Sequence, residues 1–428
     1  MEKSPEELYL EREKRVNDAI ELKEPDRVPV MSLFGFFPAK YAGITFEQAM
    51  YETDQMIQAW EKTILEFQPD THENPLFYLH FGSVLDALQF KQLKWPGHGV
   101  DAMGGYQFVE KEYMKEDEYD AFLFDPTDFM IRKYWPQVFG ALGPFEKLPP
   151  VRGIISYYMG LGQFAAFNNP GVAEALESLS KAAKSASKMV SKGIEYEKRM
   201  KALGFPMQLG STTQAPFDTL ADFFRGTKGA MLDLFRRPDK VLEAVEKLYP
   251  LMLQMGLSAK KREIKRVFIP IHKGLDGFMS PEQFEKFFWS GLKRLILALI
   301  EEGLNPMVLW EGDCTSRLEI IGDIPKGKAI YWFERTDIFR AKEVLGDTVC
   351  IRGNVPLSTL CTGTPDDVKQ YCKKLIDIVG KNGGFILIDI VGKNGGFIMD
   401  ASTVLDDAKP ENVKAMMDFT KDYGRYGG

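Results

Sequence analysis

From Pro170 onward, long amphipathic segments alternate with short apolar runs, and this rhythm restricts the fold more than any other feature of the chain. The long segments are Val172 to Leu203, Pro238 to Lys261, Pro281 to Gly303 and Pro365 to Val379. The short runs are Met207-Gln208-Leu209, Arg266 to Ile271, Met307 to Trp310, Ala329 to Phe333, Thr348 to Ile351 and Phe397 to Met399. Helical periodicity interrupted by short β-type runs reports repeated βα units, hence a parallel sheet covered by helices. Several such units in one chain favour a closed barrel over an open sheet, although periodicity alone leaves closure undecided.

The N-terminal third is less regular. Ser4-Pro5-Glu6-Glu7 carries a helix start, with a Ser cap, a Pro in the first turn and a Glu three residues after the cap. That helix is expected to reach Leu22 and stop before Pro25, and Arg27 to Leu33 then reads as a buried strand. Thr45-Phe46-Glu47-Gln48 opens a second helix, to about Phe67. From Asp70 to about Pro150 the pattern is irregular and rich in Gly, Pro and aromatic residues, which suits a segment lying over a barrel mouth. The expectation is one domain over residues 1–428, with 1–150 as its N-terminal part and 151–428 as the regular βα units.

Composition excludes some classes. Apolar residues make up 45% and charged residues 27%, enough for a sizeable core. A net charge of -7 argues against nucleic acid as a partner, and basic runs such as Lys260-Lys261-Arg262 are short. Cys314, Cys350, Cys361 and Cys372 form no CxxC pair, as expected of reduced thiols in a cytoplasmic protein. The first residues are charged, without an apolar signal-like region, and no apolar run approaches the ~20 residues of a membrane span.

Leu375 to Ile386 reads LIDIVGKNGGFI, and Leu387 to Ile398 repeats it without change. Solenoid repeats drift and need three or more copies, so this is a recent duplication or an assembly accident rather than an architecture. The second copy runs directly into Met399-Asp400 and is expected to supply the last strand.

In parallel α/β barrels, chemistry sits where strands end. The apolar runs lead into Gly210, His272, Glu311, Glu334, Asn354 and Asp400, an acidic set with one imidazole. Glu311-Gly312-Asp313 is the best candidate, because two close carboxylates can bind a cation or divide acid and base roles. His272 follows a confident strand, whereas His72-Glu73 and His80 lie in the irregular segment. Phe34, Phe36, Phe37, Phe77, Tyr78 and Phe81 are candidates for an apolar pocket. No GxGxxG, Walker-type GK[ST] or GxSxG is present, which disfavours nucleotide and serine-hydrolase chemistry.

Asp26-Arg27-Val28-Pro29-Val30, Ala215-Pro216-Phe217 with Thr219-Leu220-Ala221, and Ala341 to Gly346 stand in order along the chain. They are followed by Gly353-Asn354-Val355, Gly363 to Val368, Gly395 to Ile398 and Pro410 to Val413. In order and spacing this chain resembles the uroporphyrinogen decarboxylase superfamily, which includes corrinoid methyltransferases. The resemblance implies a (β/α)8 TIM-type barrel with an N-terminal elaboration over its mouth. The decarboxylase residues do not carry over: Phe34 to Pro38 stands where the arginine-rich stretch would be, Ser83 in place of the catalytic Asp, and Phe223 in place of a Tyr. The late His falls in Ala401-Ser402-Thr403. The methyltransferase zinc set is also lost, with Leu309-Trp310-Glu311-Gly312 in place of His-x-Cys-Gly and Ser402 near the later Cys.

The leading expectation is therefore a methyltransferase for a small methylated substrate, working with a corrinoid supplied by a separate partner protein. Glu311, Asp313 and His272 are its candidate catalytic residues. Phe34, Phe36, Phe37, His80, Phe223 and Asn354 are its candidate substrate contacts, suited to an aryl methyl ether or a methylated amine. Glu311 and Asp400 are the candidate ligands if a divalent metal binds, as oxygen donors that favour a hard ion. A decarboxylase or other lyase for a small non-porphyrin acid is the alternative, followed by a non-catalytic binding barrel. A homodimer is left open.

Overall fold

The computed structural model describes residues 3–77, 79–262, 264–380 and 395–426. Its centre is a parallel sheet of β1 (Ser211–Thr212), β2 (Arg266–Ile271), β3 (Asn305–Trp310), β4 (Ile330–Phe333), β5 (Cys350–Arg352) and β6 (Phe397–Ile398), in that order. Five of the six apolar runs coincide with strands to within two residues at either end. Thr348 to Ile351 pairs only from Cys350, and the run at Met207 makes a single bridge before regular pairing begins at Ser211. The second copy of the duplicated segment does end in β6; the first begins within the 365–380 helical stretch, and residues 381–394 lie outside the described residues.

Backbone hydrogen bonds continue past both edges of this sheet. Met31 N–H donates to the Met399 carbonyl and Met399 N–H to that of Pro29, beside β6. Asp70 N–H donates to Val30, His72 N–H to Pro206, and Gln208 N–H to His72. Gly210 N–H then reaches Arg266 at the start of β2. The Arg27 to Leu33 run bridges through single residues rather than as a regular strand, and Pro29 within it has no N–H to offer a ladder.

Side chains alternate across these strands. Val267, Ile269, Ile271, Val308, Trp310, Tyr331, Phe333 and Ile351 join the main core under the helices. Met31, Met307, Ile330, Cys350 and Ile398 face the other way and meet Val16, Ala19 and Ile20 of α1 (Pro5–Ile20). Helix α1 carries the full capping box on Ser4 and Glu7 that the sequence indicates. Its Glu13 pairs with buried Arg266, which also donates to the Met207 and Gln208 carbonyls, tying the helix to the amino end of β2.

Thr45 likewise caps its helix, but the expected run to Phe67 is interrupted at Glu52, whose ψ of 85° separates Phe46–Tyr51 from Thr53–Phe67. Helix α2 (Pro170–Ala202) has 33 residues, about 50 Å at 1.5 Å per residue. Near its carboxyl end the Gly193 carbonyl and Glu197 accept from Asn74, while Val172 and Ala175 pack on Leu142, Phe145 and Leu148. Residues 79–116 are tied within themselves by Tyr106 donating to Leu79 O, and to the helical turn Leu220–Arg225 by Gln92 Nε2 donating to Phe223 O and Met114 N–H to Phe224 O. Among the described residues no helix is long and apolar enough to cross a membrane.

Candidate functional site

The strand register sets the rim. Ile271 pairs with Trp310, Trp310 with Phe333, Trp332 with Arg352, and Arg352 with Ile398. One or two residues further on, His272, Glu311, Glu334, Asn354 and Asp400 follow the carboxyl ends of adjacent strands, as the sequence suggests.

His272 and Glu311 meet. His272 Nε2 lies 3.5 Å from a Glu311 oxygen, and Nδ1 lies 2.5 Å from Asp222 Oδ2. Asp218 holds the backbone: its two oxygens accept from His272 N–H at 2.9 Å and Lys273 N–H at 2.8 Å. Lys273 Nζ is 3.3 Å from Asp222 Oδ1, and Gln214 Nε2 donates to Asp222 Oδ2 at 2.8 Å. Asp218 and Asp222 are both buried. They stand four residues apart on the helical turns Pro216–Thr219 and Leu220–Arg225, so one face presents both to the end of β2.

Burial alone would lower the His272 pKa. Hydrogen bonds to Asp222 and Glu311 and the charge of Asp218 overcome it and raise the group to about 11, an imidazolium at neutral pH. Asp218 is pushed up to about 7 by burial and by Asp222, against His272 and the two N–H groups. Burial also raises Glu334; the charge of Glu311 adds to this and Arg335 opposes it. The rim thus sets the carboxyls of Asp218, Asp222, Glu311 and Glu334 against the cations His272 and Lys273.

Other expected residues are placed elsewhere. Asp313 turns to Thr315, accepting from its N–H and hydroxyl at 2.9 and 2.6 Å, and so shapes its own turn instead of joining Glu311. Asp400 is fully buried and ion-paired with Arg352 at 2.7 Å, and this pairing takes its carboxylate away from the proposed metal-ligand role with Glu311. Phe34 and Phe37 are buried against Trp60 and Phe67, so they form core rather than pocket wall. His80 spends both ring nitrogens on Ala49 O and Thr53 Oγ1, anchoring the irregular segment to two helices. Phe223 packs edge-on to Phe108. Asn354 lines a cavity of about 500 Å³ with Glu334, Thr336, Tyr371 and Ser402, and its amide donates to Thr336 O at 3.3 Å.

Phe36 does line a cavity. This space of about 670 Å³ is walled by Leu33, Phe36, Tyr106, Leu209, Phe268 and Val404, with Glu73 and Asp406 also at its surface. Phe268 shares the inward face of β2 with His272, four residues earlier, roughly 13 Å along a strand.

The zinc set of the related methyltransferases does not fit these residues. Leu309 offers no donor and Trp310 belongs to the core. Cys314 is buried against Thr336, with its thiol raised to about 12 by burial. Among the described residues no three His, Cys, Asp or Glu side chains converge as metal ligands.

Sequence reading missed Asp218, Asp222 and Asp406. The signal for the first two was the Asp-x-x-x-Asp spacing within Pro216 to Asp222, whose helical turns bring them beside a strand end some fifty residues later.

Strand-end carboxylates around an imidazolium, on a parallel sheet under helices, define an α/β protein with its polar site at the carboxyl rim. A family model described as uroporphyrinogen decarboxylase (URO-D) matches residues 155–423, and the chain belongs to this family. A curated uroporphyrinogen decarboxylase from Chlorobium phaeovibrioides is 26% identical over 149 residues, 34% of this chain and 38% of the relative. One from Pelodictyon phaeoclathratiforme is 28% identical over 122 residues, 28% of this chain and 31% of the relative. The chain thus matches well under half the length of these relatives. A methyltransferase from Methanosarcina mazei shares the fold, with a TM-score of 0.62 at 14% identity, covering 96% of this chain and 98% of that one.

Proposed function

We propose that this chain is a methyltransferase that moves a methyl group between a small methylated substrate and a corrinoid carried by a separate protein. The near-complete fold match to a methyltransferase supports the reaction class. We read the bridged segments 28–31 and 70–72 as two further strands, with 206–208 as the start of β1, which together close an eight-fold barrel, and residues 79–116 as covering its mouth.

The observation that carries the reading is the Asp222–His272–Glu311 chain at the rim. A group with a pKa near 11 is a poor proton donor or acceptor at neutral pH. His272 therefore acts as a fixed cation that positions Glu311, whose side chain remains 40% exposed and able to touch substrate. The corrinoid, when bound, supplies the nucleophile that takes the methyl group. Excess carboxyl groups at the rim favour neutral or cationic donors, and this weighs against the lyase alternative, whose acid substrate would meet like charge.

The test is methyl transfer to cob(I)alamin from a panel of methylated ethers and amines, by the native protein and by Glu311→Ala. Transfer from at least one donor, falling at least about tenfold in the variant, is expected. Release of carbon dioxide from a small acid without any corrinoid, and no transfer from any donor, would overturn the reading.

A further inference from the structure

We infer that the cavity beside Phe36 selects an organic cation, a methylated ammonium compound, as its ligand. The inference rests on the methyltransferase reading for its role as methyl donor, but the binding site itself stands on geometry.

The first element is the anion. Asp406 follows β6 and is half-buried at the cavity wall. Its Oδ1 accepts from Phe36 N–H at 2.6 Å. The bond requires the backbone of Gly35 to lie against the carboxylate: a Cβ there would sit 2.0 Å from Oδ1, and φ is +57°. Oδ2 faces Gly105, where an added Cβ would stand 3.7 Å away, an ordinary contact distance. Asp406 takes part in no ion pair among the described residues, since Lys40 pairs with Asp407 instead. Its pKa rises to about 6 through burial, which the Phe36 N–H opposes; it is still mostly ionised at neutral pH.

The second element is the aromatic wall. Phe36 and Tyr106 meet edge to face at 5.2 Å, and Tyr106 is held by the hydrogen bond from its hydroxyl to Leu79 O and by stacking on Phe81. Aromatic faces around a carboxylate attract a cation whose charge is spread over methyl groups, whereas a bare ammonium loses more hydration. Lys261 and Arg262 also line the cavity, but Lys261 is exposed and Arg262 is paired with Glu197. Apart from these two cations the lining is mostly apolar, with the carboxyl groups of Glu73 and Asp406, and about 670 Å³ lies within the range of small-ligand sites.

The chemistry balances. When a nucleophile such as the partner corrinoid would supply forms a new bond to the methyl carbon, the N–C bond breaks with its electron pair remaining on nitrogen, and a neutral amine departs. No proton has to reach the leaving atom, so the step needs no acid at the cavity wall. Loss of the positive charge also removes the attraction to Asp406 and assists product release.

Calorimetric titration of the native protein with choline, its uncharged isostere 3,3-dimethyl-1-butanol and the anion 3,3-dimethylbutanoate tests this without corrinoid or turnover. Choline should bind at least about tenfold more tightly than the alcohol, with the anion weakest. Asp406→Asn, which keeps the Oδ1 acceptor, should bring the ratio near one. Tyr106→Leu should reduce it while leaving alcohol binding within about threefold. Equal binding of choline and the alcohol, preference for the anion, or an unchanged ratio in Asp406→Asn would overturn the inference. Because the readout is binding, a failure here coexisting with methyl transfer from neutral ethers would leave the proposed function intact.

Discussion

Asp222 Oδ2 and His272 Nδ1 lie 2.5 Å apart, and this bond sets the charge of the strand-end rim. In Asp222→Asn the imidazole loses its strongest partner, and its pKa should fall from about 11 toward the ordinary value near 6.5. An NMR titration of the His272 ring reads this directly. A ring still protonated above pH 9 in the variant would show that Asp222 is not the cause.

The same group predicts a pH dependence of stability. The folded-state pKa of His272 lies above the unfolded value, so its contribution is complete below about pH 6.5 and is lost as pH rises through about 11. Thermal melting followed from pH 7 to 11 should show a decline that is shallower in His272→Gln. Parallel curves for the two proteins would contradict the assignment.

Arg352 and Asp400 form a pair with neither side chain exposed, and Arg352 also lies 4.0 Å over the Trp332 ring. Removing one partner strands a buried charge, so Arg352→Ala should destabilise the fold by roughly 3–5 kcal/mol in urea unfolding. Arg352→Met with Asp400→Leu should recover much of that loss. A single variant costing under about 1 kcal/mol would mean that water reaches the pair.

Asp313 should behave differently from Glu311 despite their proximity in sequence. Its carboxylate closes a turn on Thr315, so Asp313→Ala should cost about 1 kcal/mol of stability and leave methyl transfer within twofold of the native rate. A tenfold loss of transfer at unchanged substrate affinity would return Asp313 to the chemistry.

Metal content gives a further check. With Leu309 and Ser402 where the related enzymes offer His and Cys, the purified protein should hold well under one equivalent of zinc by elemental analysis, before and after dialysis against a chelator. Stoichiometric zinc that resists dialysis would require a ligand set beyond these positions.

Local rules made much of the frame legible from residue order. Ser4 and Thr45 cap helices because a short side chain reaches only its own first turn, and Arg266 to Ile271 is a strand because its apolar run is bounded by charge and a turn. The rim followed too, since a strand end is a position along the chain, and His272 and Glu311 both lie there. Which carboxylates serve that rim was decided in space. Asp218 and Asp222 reach His272 only when the loop after β1 folds over the end of β2, and Asp400 leaves the rim because Arg352, two residues below Asn354, draws it inward. Phe34, Phe36 and Phe37 look alike in sequence, yet Phe36 lines the 670 Å³ cavity whereas Phe34 and Phe37 pack against Trp60 and Phe67 in the core. Periodicity is a property of neighbours in the chain, whereas charge pairing and pocket walls depend on contacts between residues hundreds of positions apart, such as Phe36 and Asp406.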